Sequence, residues 1–461
     1  MLTERKVERA WADSRKIPMR FAAAGPWLLI LCSAAHALRR RNAHYTKLHF
    51  KPLKPVTHNT LDANNRTRTT RRRLDSSLHG TKLRGNLATL GYFSAMVCVG
   101  TPPKQFDLIV ETGSALTAFP CSTCTHCGEH KHGTTKGQRF STAESRTSRA
   151  HSCTSPPLGL SSCRTCDAGS CGYTVSYTEG SSIRGHFVTD VVRFSTATGQ
   201  QLMVNGSFGC QNYESGLFYS QVADGITGFS QSRGYGLTLH DALTTHTRAP
   251  QTLSICLSDY VGALSMGGRI PQDAKVNWIP FSGSGSYVVP LSDLTINGKS
   301  VGLPAYTYAN AIIDSGTTFC YLPSGAYQKV AMEWRTKCPW GDCRQKSAPG
   351  EYPDDYCYKT DWDTVSNFAQ MSLHFSNGVA LDFGPRQYAY ELKPGLWCMG
   401  VFDNSHAGAV IGGANMRNHE VIFDRDSHRV AFVPSDCQGM YNYSAHSLLE
   451  GGYGLSGCEE E

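Results

Sequence analysis

The sequence predicts a mainly β protein built as two lobes of similar plan with a cleft between them. Its 461 residues are too many for one compact core and suit two domains of ordinary size. From Gly91 onward, short β-rich runs alternate with Gly, Pro, Ser and Asn, whereas long amphipathic helical patterns are few. An apolar strand that ends in an acidic residue also occurs twice, once in each half of the chain.

The repeated segment is an apolar strand followed by an acid, a hydroxyl residue, a glycine and a second hydroxyl residue. The first copy covers 106–114 with the sequence FDLIVETGS, and the second covers 311–318 with the sequence AIIDSGTT. Each copy is followed, further along the chain, by a short and mostly apolar segment that ends in glycine, 226–228 and 410–412. Two lobes that each present one acidic loop are the simplest interpretation.

The residues around each acid suit a stabilised carboxylate. A charged carboxyl at the end of an apolar strand is costly to bury unless nearby donors stabilise it. A glycine two positions on lets the backbone turn tightly and brings amide groups close, and the next hydroxyl can donate to the outer carboxylate oxygen. The acids and their supporting residues are Glu111, Gly113 and Ser114 in the first copy and Asp314, Gly316 and Thr317 in the second.

Two such loops brought together place two carboxyls around a single water molecule. Like charges that close cannot both ionise, so the pair shares a proton. The ionised member takes a proton from the water, which attacks a peptide carbonyl, while the protonated member donates to the carbonyl oxygen. One acid–hydroxyl–glycine triplet is a weak signal, but two with matching partner segments strongly indicate this chemistry.

The region from about Gly91 to Cys437 resembles the pepsin-like aspartic peptidases. Segments 91–103 and 421–434 look like the first and last strands of that family, and segment 173–185 resembles the flap hairpin that closes over substrate. The resemblance implies a bilobal pepsin-like acid-protease fold with two pseudo-symmetric β lobes, and an endopeptidase that acts on peptides or proteins without a cofactor.

The flap resemblance implies substrate-binding roles for Tyr177, Glu179 and Gly180. The Tyr177 hydroxyl would help to order the site. The alternative for Tyr177 is an ordinary strand tyrosine.

Cysteine usage indicates disulfides and an oxidising compartment. The chain has 18 cysteines, and leaving out Cys32 of the leader and Cys458 of the tail gives an even number, which predicts a fully paired body. The cluster at 119–127 is most similar to a cysteine-rich subgroup of the family, the plasmepsin V and nepenthesin types, which carry a disulfide-rich insert. Zinc binding by this cluster and His126 is permitted by the spacing, but disulfides are favoured in an oxidising lumen, so no metal is expected.

The first acid departs from the family pattern, because position 111 is Glu where the family has Asp. The extra methylene moves the carboxyl by about 1–1.5 Å, and a misplacement of about 1 Å can cost roughly a hundredfold in rate. Three interpretations stay open: a natural pseudo-peptidase, an enzyme of low activity, or an altered version of an Asp-containing parent. The alternative function is therefore a catalytically inactive protein that binds peptides or proteins in the retained cleft.

The predicted organisation has five parts. They are an N-terminal extension and signal peptide at 1–37 that starts at Met19, a basic propeptide or disordered arm at 38–85, an N-terminal β lobe with a cysteine-rich insert and flap at 86–280, a C-terminal β lobe at 281–437, and a flexible tail at 438–461. A type II membrane anchor is the alternative for the signal-like run.

The formal net charge of +7 is concentrated in the basic arm. Nucleic-acid binding would explain such charge, but a leader and propeptide that are later removed are favoured. No later segment offers roughly 18 consecutive apolar residues, so we expect no membrane span. We expect a monomeric zymogen in the secretory lumen or outside the cell, with glycosylation acceptors at Asn65, Asn205 and Asn442.

Overall fold

The computed structural model describes most of residues 81–439 and a few positions beyond them. The gaps are 88–89, 131–137, 178–179, 197–199, 232–233, 273, 284, 309–310 and 338–355, and the later described positions are 449, 451, 453–455 and 458. The predicted signal peptide, the arm up to residue 80, and Asn65, Asn442 and Glu179 lie outside the described residues.

Strands are the main regular structure of the described chain. The strands of the first half are β1 (Thr81–Asn86), β2 (Tyr92–Val99), β3 (Lys104–Glu111), β4 (Ala118–Pro120), β5 (Arg149–Ala150), β6 (Thr165–Asp167), β7 (Ser170–Ser176), β8 (Ser182–Thr196), β9 (Gln201–Glu214), β10 (Gly225–Gly228), β11 (Thr252–Leu257), β12 (Val261–Met266) and β13 (Ile279–Pro280).

The second half adds shorter strands. They are β14 (Tyr287–Val289), β15 (Leu291–Ile296), β16 (Lys299–Ser300), β17 (Ala311–Asp314), β18 (Cys320–Leu322), β19 (Cys357–Lys359), β20 (Met371–Phe375), β21 (Ala380–Phe383), β22 (Ala389–Lys393), β23 (Leu396–Met399), β24 (Val401–Asp403), β25 (Val410–Gly412), β26 (His419–Asp424), β27 (Arg429–Pro434) and β28 (Tyr453–Leu455).

Helices are short and lie between the strands. They are α1 (Leu217–Ser220), α2 (Leu239–Thr247), α3 (Ser324–Thr336), α4 (Trp362–Val365), α5 (Pro385–Tyr388) and α6 (Gly413–Met416), with a 3-10 helix at Ala305–Tyr308. No helix in the described part of the chain is long and apolar enough to cross a membrane.

One large sheet connects the two halves. Among the described residues it has 16 strands, and its main path runs β13-β27-β26-β11-β12-β1-β2-β3-β10-β4-β9-β8-β7-β6. Strands β26 and β27 come from the second half of the chain, yet β26 pairs antiparallel with β11 of the first half from Thr252–Asp424 to Cys256–Glu420. The second lobe adds sheets in the orders β14-β17-β25-β18-β24, β16-β15-β20-β21 and β19-β23-β22. The predicted mainly β, bilobal architecture is confirmed.

The boundary of the basic arm is a correction. Composition predicts a propeptide or disordered arm over 38–85, but residues 81–85 belong to β1, which pairs with β12 and β2. Thr81 and Leu83 are buried, whereas the intervening Lys82 and Arg84 are exposed. The basic residues that resemble an arm therefore occupy the solvent-facing side of an alternating strand.

The tail at 438–461 is a second correction, because its described part is packed rather than flexible. Strand β28 pairs with β12 and β8. Leu449 and Leu455 are buried, and Cys458 forms a disulfide with Cys98. The few apolar residues among the glycines and serines of the tail are enough to fix it to the large sheet.

The cysteine pairing differs from the prediction at two positions. The disulfides of the described residues are Cys98–Cys458, Cys121–Cys210, Cys124–Cys127, Cys153–Cys166, Cys163–Cys171, Cys256–Cys437 and Cys357–Cys398. Cys458 thus belongs with the body, and Cys320 is a free cysteine. The expectation of a fully paired body without Cys458 is therefore wrong. Burial raises the pKa of the Cys320 thiol to about 12, so this cysteine is an unreactive part of the core.

A buried histidine links the lobe-joining strands to helix α2. His240 Nε2 lies 2.9 Å from the Thr252 carbonyl oxygen, and Arg425 Nη1 lies 2.9 Å from His240 Nδ1. Arg425 also pairs with Asp241 at 2.9 Å. An arginine can only donate, so His240 accepts at Nδ1 and donates from Nε2, which is the arrangement of a neutral ring. Burial, together with the Arg425 charge, lowers the pKa of His240 to about 4.

Acidification is expected to destabilise the fold through His240. Its pKa is about 4 in the folded protein against an ordinary value of 6.5, so the contribution is complete above pH 6.5 and is lost as the pH falls toward 4. We expect the unfolding free energy to fall by about 3 kcal/mol more in the protein than in His240→Gln over this range, because glutamine does not titrate. Chemical denaturation of both proteins at several pH values measures this difference. Equal pH slopes would contradict the account.

Candidate functional site

The first acidic loop begins where strand β3 ends. Glu111 is the last residue of β3 and is 2% exposed. Strand β10 runs parallel to β3 and places Gly228 opposite Glu111. The Phe229 backbone N–H donates to the Glu111 carbonyl oxygen at 2.7 Å. An ideal Cβ on Gly228 would lie 2.5 Å from the Ser114 carbonyl oxygen, so only glycine allows this strand to approach the loop.

The second acidic loop repeats this arrangement. Asp314 is the last residue of β17 and is fully buried. Strand β25 runs parallel to β17 and places Gly412 opposite Asp314. The Gly413 backbone N–H donates to the Thr317 carbonyl oxygen at 2.8 Å, so each acid is held between its own strand and the glycine-ended segment of its lobe.

The two loops are joined by a reciprocal set of hydrogen bonds. The Thr112 N–H donates to Ser315 Oγ at 3.1 Å, and the Ser315 N–H donates to Thr112 Oγ1 at 2.9 Å. Thr112 Oγ1 donates to the Ile313 carbonyl at 3.2 Å, and Ser315 Oγ donates to the Val110 carbonyl at 2.9 Å. Each hydroxyl therefore contacts the backbone of the opposite lobe. The repeat in the sequence contains a hydroxyl residue directly after each acid, but the sequence alone predicts no role for these two residues.

The loop glycines bring each acid against the opposite loop. An ideal Cβ on Gly113 would lie 2.7 Å from Asp314 Cγ, and one on Gly316 would lie 2.7 Å from Glu111 Cγ. Each glycine of one loop thus leaves the space that the acid of the other loop needs. The contacts place the Glu111 and Asp314 carboxyls together at the junction of the two lobes.

Donors surround both carboxyls. Ser114 Oγ donates to Glu111 Oε2, and Thr317 Oγ1 donates to Asp314 Oδ2 at 2.6 Å, which is the same spacing along the chain in both loops. The Gly316 N–H donates to Asp314 Oδ1 at 2.9 Å.

The Asp314 carboxyl is held in its protonated form more readily than an ordinary aspartate. Burial raises the pKa of Asp314, although the hydrogen bonds from its own loop and from the Gly113 N–H of the first loop oppose that shift. The Glu111 carboxyl therefore lies beside the Asp314 carboxyl, which retains its proton at a higher pH than an ordinary aspartate. This combination suits acid–base chemistry on a molecule bound between them.

Strands β7 and β8 form the predicted hairpin. Its loop is closed by the Tyr177 N–H, which donates to the Ser181 carbonyl at 2.8 Å, and by the Gly180 N–H, which donates to the Tyr177 carbonyl at 3.0 Å. Gly180 has a φ of 96°, a conformation that favours glycine.

Tyr177 faces inward rather than into solvent. It is 7% exposed and belongs to one apolar cluster with Ile109 and Leu116, which flank the first acidic loop. The hairpin is therefore packed on the same side of the lobe as Glu111.

Disulfides link the cysteines of the insert that were candidates for zinc binding. Cys121 pairs with Cys210 of strand β9, and Cys124 pairs with Cys127. The His126 ring stacks on the Tyr213 ring, with 4.9 Å between centroids. In the described part of the chain, no group of three or more His, Cys, Asp or Glu side chains is arranged to hold a metal ion.

Two family profiles match the chain. The profile described as Xylanase inhibitor N-terminal matches residues 93–268, and the profile described as Xylanase inhibitor C-terminal matches residues 286–434. Each match contains one of the two acidic loops, and together they cover more than half of the chain.

Curated proteins are similar over the same region. Aspartic protease 5 of Toxoplasma gondii is 26% identical over 408 residues, which cover 78% of this chain and 38% of that protein. Plasmepsin V of Plasmodium falciparum is 25% identical over 446 residues, covering 78% of this chain and 74% of that protein. Aspartic proteinase nepenthesin-2 of Nepenthes gracilis is 25% identical over 366 residues, covering 75% and 78%. This chain thus spans well under half the length of the Toxoplasma relative.

Removing a hydroxyl that joins the loops is expected to destabilise the protein. Ser315→Ala leaves the Thr112 N–H and the Val110 carbonyl without their partner, at about 1–3 kcal/mol for each buried group. We expect the unfolding free energy to fall by about 2–6 kcal/mol in total. Thr112→Ser, which keeps its hydroxyl, is the matched control, and its unfolding free energy should fall much less. Denaturation curves check this, and a Ser315→Ala curve that overlays that of the parent would refute it.

Proposed function

Because the chain belongs to the pepsin-like aspartic protease family, as its motifs predict, we propose that it is an aspartic-type endopeptidase. The observation that carries the proposal is the pair of acidic loops, in which each glycine leaves room for the acid of the other loop. The loops meet where the two lobes join, and the proposal places an extended peptide between the lobes at this point. Glu111 and Asp314 are the proposed catalytic residues.

In the proposed reaction the two carboxyls hold one water molecule and share one proton. Burial raises the pKa of Asp314, which helps to keep that proton on the pair. The ionised carboxyl removes a proton from the water, whose oxygen attacks the peptide carbonyl carbon. The protonated carboxyl donates to the carbonyl oxygen, which gives a tetrahedral gem-diol. As it collapses, the carboxyl that took the water proton donates it to the nitrogen of the leaving amine, and the other carboxylate takes a proton from one hydroxyl as the carbonyl re-forms. Ser114 and Thr317 orient the two outer oxygens throughout.

The glutamate at position 111 sets the rate of this proposed reaction. Ser114 still donates to its carboxylate, so the outer contact is present despite the longer side chain. The extra methylene lies against Gly316, where an ideal Cβ would be 2.7 Å from Glu111 Cγ. The inner oxygen therefore reaches the water from a different position than an aspartate would give, and we expect slow hydrolysis.

A second candidate function is peptide or protein binding without cleavage. Glu111 favours it, and so does the inhibitor description of the family profiles, since an inhibitor binds a partner without needing hydrolysis. For this candidate function, the hairpin and the two lobes would form a cleft that binds the peptide without cleaving it.

We base the proposed compartment on the disulfides and the proposed substrate class on the relatives. The disulfides of the described chain suit the secretory lumen or the extracellular space, where such bonds persist. The relatives named as proteases favour a peptide or protein substrate for this chain as well.

Shortening the first acid separates the two candidates. Glu111→Asp should raise peptidase activity by about a hundredfold, because it removes a displacement of roughly 1 Å from one carboxyl. Hydrolysis of a mixed peptide library from acid to neutral pH provides the measurement. Glu111→Gln, which keeps the length and loses the charge, should be inactive.

The same assay includes its own control. Asp314→Ala in the Glu111→Asp background should abolish the gain, because a lone carboxylate cannot act as acid and base in one step. An inert Glu111→Asp protein would favour the binding candidate. A parent as fast as Glu111→Asp would show that the loop already compensates for the longer side chain.

A further inference from the structure

We propose that His130 is a positioning residue that holds the hairpin in place through the segment at 214–221, whose two end residues are buried. This inference rests on the proposed function for its catalytic consequence, but its structural part stands on the contacts of the described chain. Segment 214–221 is called the support segment below, and the described residues Tyr177 and 180–182 are called the hairpin loop.

The hairpin loop rests directly on the support segment. The Leu217 N–H donates to Ser181 Oγ at 2.8 Å. The Ser182 N–H donates to Ser215 Oγ at 2.9 Å, and the Ser215 N–H donates to the Ser182 carbonyl at 2.9 Å. An ideal Cβ on Gly216 would lie 2.6 Å from Ser181 Oγ, so the two chains are in close contact.

An aromatic contact extends this docking to the proposed site tyrosine. The Tyr177 ring lies 4.6 Å from the Phe218 ring, centroid to centroid. Phe218 is 6% exposed and belongs to the same apolar cluster as Tyr177 and Leu116. A shift of the support segment therefore moves the surface on which Tyr177 packs.

His130 is bound to both ends of the support segment. Its Nε2 lies 3.1 Å from Glu214 Oε2, and its Nδ1 lies 3.1 Å from the Gln221 carbonyl oxygen. The His130 side chain is 1% exposed and that of Glu214 is 0% exposed, so water does not compete for these bonds. The ring thus fixes the distance between the two ends of the segment.

The backbone beside His130 fits the support segment closely. The Gly128 N–H donates to Glu214 Oε2 at 2.9 Å. An ideal Cβ on Gly128 would lie 1.9 Å from the Tyr219 carbonyl oxygen, so no other residue fits there without a backbone shift. The Cys124–Cys127 disulfide ends immediately before Gly128 and restrains this part of the insert.

Both bonds of His130 require a protonated ring. Glu214 offers a carboxylate and Gln221 a carbonyl, which are both acceptors, so each ring nitrogen must carry a hydrogen. Burial alone lowers the pKa of His130, but the hydrogen bond and charge of Glu214, the Gln221 carbonyl and the charge of Asp224 outweigh it and raise the pKa. Tyr173, which senses the Glu214 charge, stays neutral because burial raises its pKa.

The pH dependence has a definite sign. Because the pKa of His130 is raised above 6.5, both bonds are complete below that value and one is lost as the pH rises through the raised pKa. The support segment is then held at one end less firmly. The hairpin should therefore be best ordered in acid and lose order in alkaline solution.

Hydrogen exchange of the full chain tests the structural part without reference to activity. At pH 6, His130→Gln should reduce the protection of the Ser182, Ser215 and Leu217 amides by about tenfold, as expected for loss of a charge-assisted bond. In the parent, protection corrected for intrinsic rates should fall between pH 6 and pH 9, and this fall should be absent in the variant. His151→Gln is the matched control.

The control removes a buried histidine that contacts strand β8 through Thr189 and leaves the support segment untouched. Protection of the three amides should be unchanged in it. Unchanged protection in His130→Gln, or a loss spread evenly over the lobe, overturns the proposal.

The catalytic part is measured in the Glu111→Asp background. His130→Gln should lower kcat/KM about tenfold and remove the part of the alkaline decline that follows the loss of amide protection, while the part due to loss of the proton shared by the carboxyls remains. His151→Gln should change neither. If His130→Gln alters amide hydrogen exchange but leaves kcat/KM unchanged, His130 has no positioning role in catalysis. If no protein in the series cleaves peptides, the proposed function fails, while hydrogen exchange still decides whether His130 holds the hairpin.

Discussion

The reciprocal hydrogen bonds between Thr112 and Ser315 are the constraint on which the site depends. A carboxyl at the end of a buried strand is expensive unless its position is fixed among donors. Here each hydroxyl bonds to the backbone of the other lobe, so neither acidic loop can move without its counterpart. The large sheet also joins the lobes, because β11 of the first lobe pairs with β26 of the second. The two acids are thus positioned by the whole molecule rather than by their own loops.

Much of this architecture could be predicted from the sequence because it is repeated. The acid, glycine and hydroxyl of each loop, and the glycine-ended partner segments, stand at matching places in both halves. The contacts between the loops could not be derived in the same way. Thr112 and Ser315 looked like ordinary hydroxyl residues, and only the folded chain shows that they bond to each other's lobe. The repeat does place a hydroxyl residue directly after each acid, but nothing in the sequence shows that this hydroxyl reaches the other lobe.

The errors of the sequence analysis have a common physical cause. Composition suggested an arm at 81–85 and a flexible tail after 438, because charged or small residues dominate both. Strand β1 hides Leu83 behind exposed basic neighbours, and β28 is held by a few apolar side chains and the Cys98–Cys458 disulfide. Short strands are stabilised by the sheet they join, and a local window of sequence does not contain that sheet. The buried His130–Glu214 pair escaped prediction for the same reason, since its members meet only in the folded lobe.

The most direct test of the account is calorimetric binding of a statine-containing peptide, whose hydroxyl takes the place of the attacking water. Such a peptide reports the paired carboxyls whether or not Glu111 permits rapid hydrolysis. The account predicts that one molecule binds the full chain and that Glu111→Gln and Asp314→Asn each weaken binding by about tenfold or more, roughly 1.4 kcal/mol. Equal affinity in folded parent and variants would contradict the claim that Glu111 and Asp314 form one site.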